Sequence, residues 1–280
     1  MTSLAALLLT GCTAGSETSP TDGPPATAST PSAPDPEAIR DVDFGDLEWT
    51  WDTQGMLFTV QLTDGAGVAD DPYYEASAQF TLGEPTYADA NGDGLTDAAV
   101  PLTWETGNGV AENWFIWLAQ ADAPSAPQQI PFPVASAARC GDGVESVEAV
   151  AGGFRVNEIM RSTLERDGPC AQTGTMERSR DVVVVGDGTG DGSWPATADG
   201  QGWGGYCPVK EYTEGEYATA QGRVGPSDAA PETSASGEKL YSPLKPYPFQ
   251  QPEGWRLTGF LPDDQVDDSV VCVWLPDHGD

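Results

Sequence analysis

Asp-Gly dipeptides, among them Asp64-Gly65, Asp93-Gly94, Asp142-Gly143 and Asp187-Gly188, cut the chain into short apolar runs. Asp-Gly supplies the two left-handed residues that close a two-residue hairpin. With 33 glycines and 24 prolines in 280 residues, few stretches are long enough for sustained helical periodicity. Between the turns lie Leu57 to Leu62, Ala98 to Trp104, Trp114 to Leu118, Val144 to Val150, Val182 to Val185 and Val270 to Trp274. They predict a mainly β fold of antiparallel strands joined by tight Gly/Asp turns. One stretch departs from this pattern. Val156, Ile159, Met160 and Leu164 stand at helical spacing and predict a single short amphipathic helix before Cys170.

Charge divides the chain further. Of 44 acids against 12 Lys and Arg, sixteen fall between Asp41 and Ala138, where there is no Lys or Arg at all. Such a segment cannot pair its carboxylates internally and relies on solvent screening or bound metal. From Arg139 to Arg180 the balance changes to six arginines and seven acids. A boundary is therefore expected near residue 138, separating an acidic β domain (41–138) from a second disulfide-containing β-rich domain (139–280). Nucleic acid and anionic bilayer surfaces are poor partners for so acidic a domain, and no nucleic-acid partner is expected.

The N-terminus carries an address. Leu4 to Leu9 resembles the apolar core of an export signal, and Leu9-Thr10-Gly11-Cys12 matches a lipobox, in which the cysteine is acylated and becomes the first mature residue. No Lys or Arg precedes it, so a signal of this type is expected to begin further upstream. Residues 1–12 are thus expected to be the signal segment. Residues 13–40, rich in Thr, Ser, Ala and Pro, are expected to form a disordered tether. No stretch reaches the roughly 18 apolar residues of a membrane span. The protein is expected on the outer face of the cell membrane, held by lipid on Cys12.

Four cysteines remain: Cys140, Cys170, Cys207 and Cys272. An even number in an exported chain predicts two disulfides. Of the three pairings, Cys140 with Cys170 and Cys207 with Cys272 is favoured, because nearest-neighbour closure staples two successive units. A zinc site is the rival reading, but no Cys-x-x-Cys pair is present.

The most specific chemical signal is Asp89-Ala90-Asn91-Gly92-Asp93-Gly94-Leu95-Thr96-Asp97. Oxygen-bearing side chains at alternate positions converge when the intervening glycines permit a tight turn. Asp89, Asn91, Asp93 and Asp97 are expected to offer side-chain oxygens and Leu95 its carbonyl to a calcium ion. Val100 stands where a helix-loop-helix site has its bidentate Glu, so a calcium sensor is not expected. At these residues the chain resembles the calcium-binding loops of FG-GAP and VCBS-like repeats. The match spans Tyr87 to Leu102, and the resemblance implies local calcium binding, without the repeated blades of a propeller. Together with the lipobox, the tether and the later cysteines, the layout also resembles actinobacterial envelope lipoproteins.

Two further acidic segments read as solvated turns: Asp187 to Gly192, expected as a hairpin, and Asp263-Asp264 with Asp267-Asp268. Catalysis has little support. The single histidine, His278, lies near the C-terminus, and no Gly-x-Ser-x-Gly elbow, P-loop or dinucleotide fingerprint is present. Glu105 and Glu112, flanking Trp104 and Trp114, are the least arbitrary carboxylate pair for glycan hydrolysis. Trp49 and Trp51 share one strand face, whereas Trp114 and Trp117 cannot. Core packing is the commoner role for such residues, and stacking on a cell-wall glycan the rarer one. The expected role is non-catalytic binding or assembly with a cell-wall glycan or another envelope protein. A carboxylate-dependent glycan hydrolase and a solute-binding lipoprotein are the alternatives.

Overall fold

In a computed structural model of the chain, Asp64 and Gly65 adopt φ of 52° and 79°, and Thr63 pairs with Ala66 across them. Gln54 and Gly55 repeat the left-handed pair one hairpin earlier, at 53° and 85°. These are the backbone angles that a two-residue turn between twisted strands needs. The structure describes residues 34–139, 141–161, 165, 168–170, 172, 174–207, 212–217, 221–233, 239–243, 252–260 and 271–277.

Two 3₁₀ turns, Ala38–Asp41 and Phe44–Asp46, precede the strands. Nine strands follow up to residue 138: β1 (Glu48–Thr53), β2 (Met56–Gln61), β3 (Ala66–Asp71), β4 (Ala76–Leu82), β5 (Thr86–Ala88), β6 (Asp97–Thr106), β7 (Gly109–Leu118), β8 (Gln128–Gln129) and β9 (Ala135–Ala138). After them come β10 (Gly143–Val150), β11 (Gly153–Met160), β12 (Met176–Gly186), β13 (Ser193–Thr197), β14 (Tyr212–Tyr217), β15 (Lys239–Pro243), β16 (Trp255–Phe260) and β17 (Val271–Pro276). All pairings among these strands are antiparallel. β1 and β2 form a ribbon, β3 to β9 a seven-stranded sheet, and β10 to β13 and β14 to β17 two four-stranded meanders. The mainly antiparallel β fold expected from the turn spacing is therefore present.

The β6–β7 hairpin sits at the centre because both of its faces are apolar. Val100, Leu102, Trp104, Phe115 and Trp117 point into one core, which Trp49, Trp51, Val60 and Phe80 complete. Ala99, Ile116 and Leu118 point the other way, onto Val147, Phe154, Val156, Val182 and Val184. Segments 41–138 and 139–280 thus share a core, and Pro34–Asp280 forms one compact unit. Ile39 lies in the stretch expected to be a tether, yet it is 1% exposed and belongs to the first core. Folded structure accordingly begins before residue 41, because Ile39 is the first large apolar side chain after the Pro- and Ser-rich segment. Residues 1–12, including Cys12, lie outside the described residues, as do Cys140, Leu164, His278 and the 263–268 acids.

A third core holds the far side of the β10–β13 sheet. Trp194, Trp203, Leu257 and Trp274 pack there around a disulfide between Cys207 and Cys272. That bridge is one of the two expected from nearest-neighbour pairing; the other, Cys140 with Cys170, involves a residue outside the described ones. Trp203 meets Trp274 edge to face at 5.4 Å and Phe132 at 5.2 Å, a geometry favoured by the ring quadrupoles.

The helix expected through Val156, Ile159 and Met160 is instead strand β11. Its buried residues alternate, with Phe154, Val156, Glu158 and Met160 on one face. Glu158 occupies an apolar position in this alternation, and that substitution makes period two look like period 3.6. It is 2% exposed and is held from β12: Arg178 donates through Nη2 at 2.8 Å and Nε at 3.0 Å, and Arg180 through Nε at 3.2 Å. Arg180 also donates to the carbonyls of Val134 and Gly204, so one guanidinium ties β12 to two loops. Burial opposes the charge on Glu158, but the adjoining Arg180 and Arg178 outweigh it and hold the carboxyl below its ordinary range. Burial also draws Arg180 down from its ordinary value, although a guanidinium stays charged.

Glu158→Gln leaves two largely covered guanidinium groups, Arg178 and Arg180, without their counter-charge. It is expected to cost about 3–5 kcal/mol in urea unfolding followed by circular dichroism. Asp181→Asn, which breaks the exposed pair with Arg155, is expected to cost far less in the same measurement.

Candidate functional site

The segment Asp89 to Thr96 joins the short edge strand β5 to the central strand β6. Gly92 and Gly94 take φ of 76° and 86°, the left-handed region that only glycine enters without a steric penalty. Each acidic or amide side chain then caps the amides ahead of it. Asp89 accepts from Gly92 N at 2.8 Å and Gly94 N at 3.1 Å, Asn91 from Asp93 N at 3.0 Å, and Asp93 from Leu95 N at 2.7 Å. Successive Asx turns of this kind curl the loop. Asn91 Nδ2 donates back to Asp93 at 3.0 Å, and Thr96 ties the loop to the N-terminal segment, donating to Glu37 at 3.0 Å.

Asp97 differs from the rest. It is 0% exposed, and its two oxygens accept from Ala90 N and Ala119 N, each at 3.0 Å. Burial pushes its carboxyl up to about 7 against those two amides, and the charges of Asp93 and Asp89 push the same way. Among the described residues no basic side chain pairs with it.

The expected calcium ligands therefore lie on one loop. Asp89, Asn91 and Asp93 are turned onto loop amides, and Asp97 latches β6 to the end of β7. Among the described residues no three His, Cys, Asp or Glu side chains are gathered as a metal cage. The donor chemistry still suits a hard cation, because an ionised carboxylate has about four acceptor sites and each amide occupies only one.

The remaining sequence candidates are placed as follows. Thr103 pairs with Glu112 and Glu105 with Val110, so Glu105 and Glu112 are diagonal neighbours on one face, about 7–8 Å apart at that spacing. Glu105 is exposed, and Glu112 accepts from Trp114 Nε1 at 3.0 Å. Trp49 and Trp51 are 0% and 2% exposed; Trp49 packs on Trp117 at 4.8 Å and Trp51 on Phe80 at 5.4 Å. They are core residues and present no face to a glycan. The segment Asp187 to Gly192 is the β12–β13 hairpin turn, closed by Asp187 N to Gly192 O at 3.0 Å.

Sequence reasoning missed a buried polar group beside Glu158. Asp142 accepts from Arg161 N at 3.1 Å and from Tyr206 Oη at 3.2 Å. Burial, followed by the Asp142 charge, holds the Tyr206 phenol well above its ordinary value. The Asp142-Gly143 dipeptide was legible as a turn, but nothing in its spacing marks the Asp as buried. Neither a protein-family model, nor a curated protein, nor a solved structure matches the chain.

Because the folded-state pKa of Asp97 is raised, the fold binds a proton more tightly than the unfolded chain does. Its contribution is present at low pH and is lost as pH rises through about 7. With chelator present, the melting temperature is expected to climb from about pH 8 to about pH 5. Asp97→Asn is expected to flatten that slope while lowering the melting temperature overall, since an amide oxygen replaces only one of two acceptors.

Proposed function

We propose that this chain is a lipid-anchored extracytoplasmic envelope protein that works by binding or assembly and not by catalysis, with the 89–97 loop as a structural calcium site. The Leu9 to Cys12 lipobox pattern supports the anchor, and among the described residues no helix is long and apolar enough to cross a membrane. The observation that carries the calcium reading is Asp97: a wholly buried carboxylate, raised by burial and by the charges of Asp93 and Asp89, with no basic partner among the described residues. A divalent cation would supply the missing counter-charge. Asp89, Asn91, Asp93 and Asp97 would hold it through side-chain oxygens and Leu95 through its carbonyl, with water completing the shell. Bound calcium would act by fixing the loop between β5 and β6. Exposure of Glu105 and the indole bond to Glu112 give the hydrolase reading nothing to build on.

A second reading, a solute-binding lipoprotein, is favoured by one observation. A cavity of about 450 Å³ lies against the β1–β2 ribbon, within the size range of small-molecule sites.

The calcium reading is tested by calorimetric titration of the oxidised protein with calcium, paired with thermal melts in calcium and in chelator. One-site binding with a raised melting temperature, abolished in Asp93→Ala, is the expected result. The calcium-induced rise is expected to be larger at about pH 8 than at about pH 5, because calcium and the Asp97 proton compete. Absence of heat and of any shift would overturn it.

A further inference from the structure

The turn between β3 and β4 reads Asp71-Pro72-Tyr73-Tyr74-Glu75 and leaves its two tyrosines 48% and 50% exposed. Its conformation is fixed from inside. Asp71 Oδ1 accepts from Tyr73 N and Tyr74 N, while Asp71 Oδ2 accepts from the Thr53 hydroxyl and the Trp104 indole. One buried carboxylate therefore ties the turn to the end of β1 and to β6. Tyr74 lies over Trp104 at 5.3 Å, and Tyr73 meets Tyr74 edge to face at 4.9 Å. Trp104 is backed in turn by Gly109, where a Cβ would come within 2.9 Å of the indole. Met56, the cross-strand partner of Thr53 and also exposed, extends the apolar surface beside Asp71. Glu75 closes the turn at φ of 50°, a conformation uncommon for any residue but glycine.

Three observations select the occupant. Rigidly held tyrosines offer a large contact area at little ordering cost, which is why this residue type is enriched at binding hot spots. Stacking on a sugar calls for open ring faces, but Trp104 covers one face of Tyr74 and Tyr73 stands at 86° to it. The pair thus presents edges and hydroxyls beside Pro72 and Met56, a shape that fits an apolar recess. Asp70 and Glu75 flank the rings, both exposed, and neither is in an ion pair among the described residues. Residues 41–138 contain no Lys or Arg, so the matching charge comes from outside this part of the chain. A second copy brings a net charge of −32, and residues 1–33 hold no Lys or Arg; neither supplies a basic rim. We propose that the 72–75 turn docks a partner protein whose surface presents an apolar recess bordered by Lys or Arg. The proposal rests on the binding reading and names its surface and class of partner. It is independent of the calcium loop.

The test pans a phage-displayed library of random peptides on the full chain; enriched peptides are synthesised and titrated calorimetrically at low and high salt. They are expected to combine aromatic or aliphatic residues with Lys or Arg, to bind Tyr73→Ser at least about tenfold more weakly, and to lose affinity as salt rises. Tyr73→Ser keeps the amide that Asp71 holds and leaves Tyr74 on Trp104, so an unchanged melting temperature is expected and docking is separated from folding. Asp70→Asn with Glu75→Gln is expected to weaken the same peptides and flatten their salt dependence. Peptides that bind wild type and Tyr73→Ser alike place binding elsewhere; they overturn the inference and leave the binding reading standing. Tyr73-dependent peptides without basic residues, or indifferent to salt, overturn the assignment of a basic partner. Chitohexaose or cellohexaose that binds the wild type and not Tyr73→Ser makes the turn a saccharide platform, and self-association in analytical ultracentrifugation that Tyr73→Ser abolishes makes it a contact between copies; either overturns the inference. Absence of any enriched peptide and of oligosaccharide binding overturns both the inference and the binding reading, and the calcium titration then decides independently whether the structural reading of the loop survives.

Discussion

Asp97 is the point through which the sheets are joined. One carboxylate oxygen takes the amide of Ala119 at the end of β7, and the other takes the amide of Ala90 in the loop before β6. The Ala90 carbonyl in turn accepts from Val184 N of β12 at 2.7 Å. A single side chain thus closes the central hairpin, and the loop it holds docks the next sheet. A carboxylate in such a place is costly unless its oxygens are satisfied, and here two backbone amides satisfy them.

The absence of Lys and Arg between residues 41 and 138 determines how that part of the molecule buries its acids. Asp71, 1% exposed, accepts from the Thr53 hydroxyl and the Trp104 indole at 3.0 Å each, and from the amides of Tyr73 and Tyr74 at 2.9 and 3.0 Å. Asp97 relies on amides alone. Beyond residue 138 a second solution joins the first: Asp142 is still met by neutral donors, the Arg161 amide and the Tyr206 hydroxyl, but Glu158 is met by two guanidinium groups. The asymmetry in charge seen along the sequence thus makes cations available as partners for a buried carboxylate only in the later segment. Asp97 and Glu158, one of each kind, both border the shared core between the two sheets.

Strands and turns were legible because they depend on local chemistry: Asp64-Gly65 needs only left-handed angles, and Val182 to Val185 only β-branched side chains. The two-sided burial of β7 was written in the unbroken run Trp114-Phe115-Ile116-Trp117-Leu118, a pattern of strands covered on both faces. Its reading needs the second sheet, which no local window contains. β11 was misread for a related reason. Glu158 is hydrophilic in sequence but internal in space, because Arg178 and Arg180 arrive from the neighbouring strand through the register Glu158 to Arg178 and Val156 to Arg180. The loop at 89–97 was legible as oxygen-rich. What spacing could not reveal is that its last acid, Asp97, serves the backbone of β7.

The two buried carboxylates also differ in what they can respond to. Glu158 is held between fixed guanidinium groups, and any loss of its charge leaves those cations uncompensated, so the fold keeps it ionised. Asp97 is held by amides, whose partial charges bond a carboxylate more strongly than a carboxylic acid but accommodate either. Its charge is therefore set by what lies on the loop side, where Asp93 and Asp89 add only negative potential. A proton relieves that potential, and so would a hard cation drawn by the same three acids. The two would compete for one carboxylate at the junction of three strands, which makes this loop, and not the arginine-locked interior of β11 and β12, the place where solution conditions reach the core.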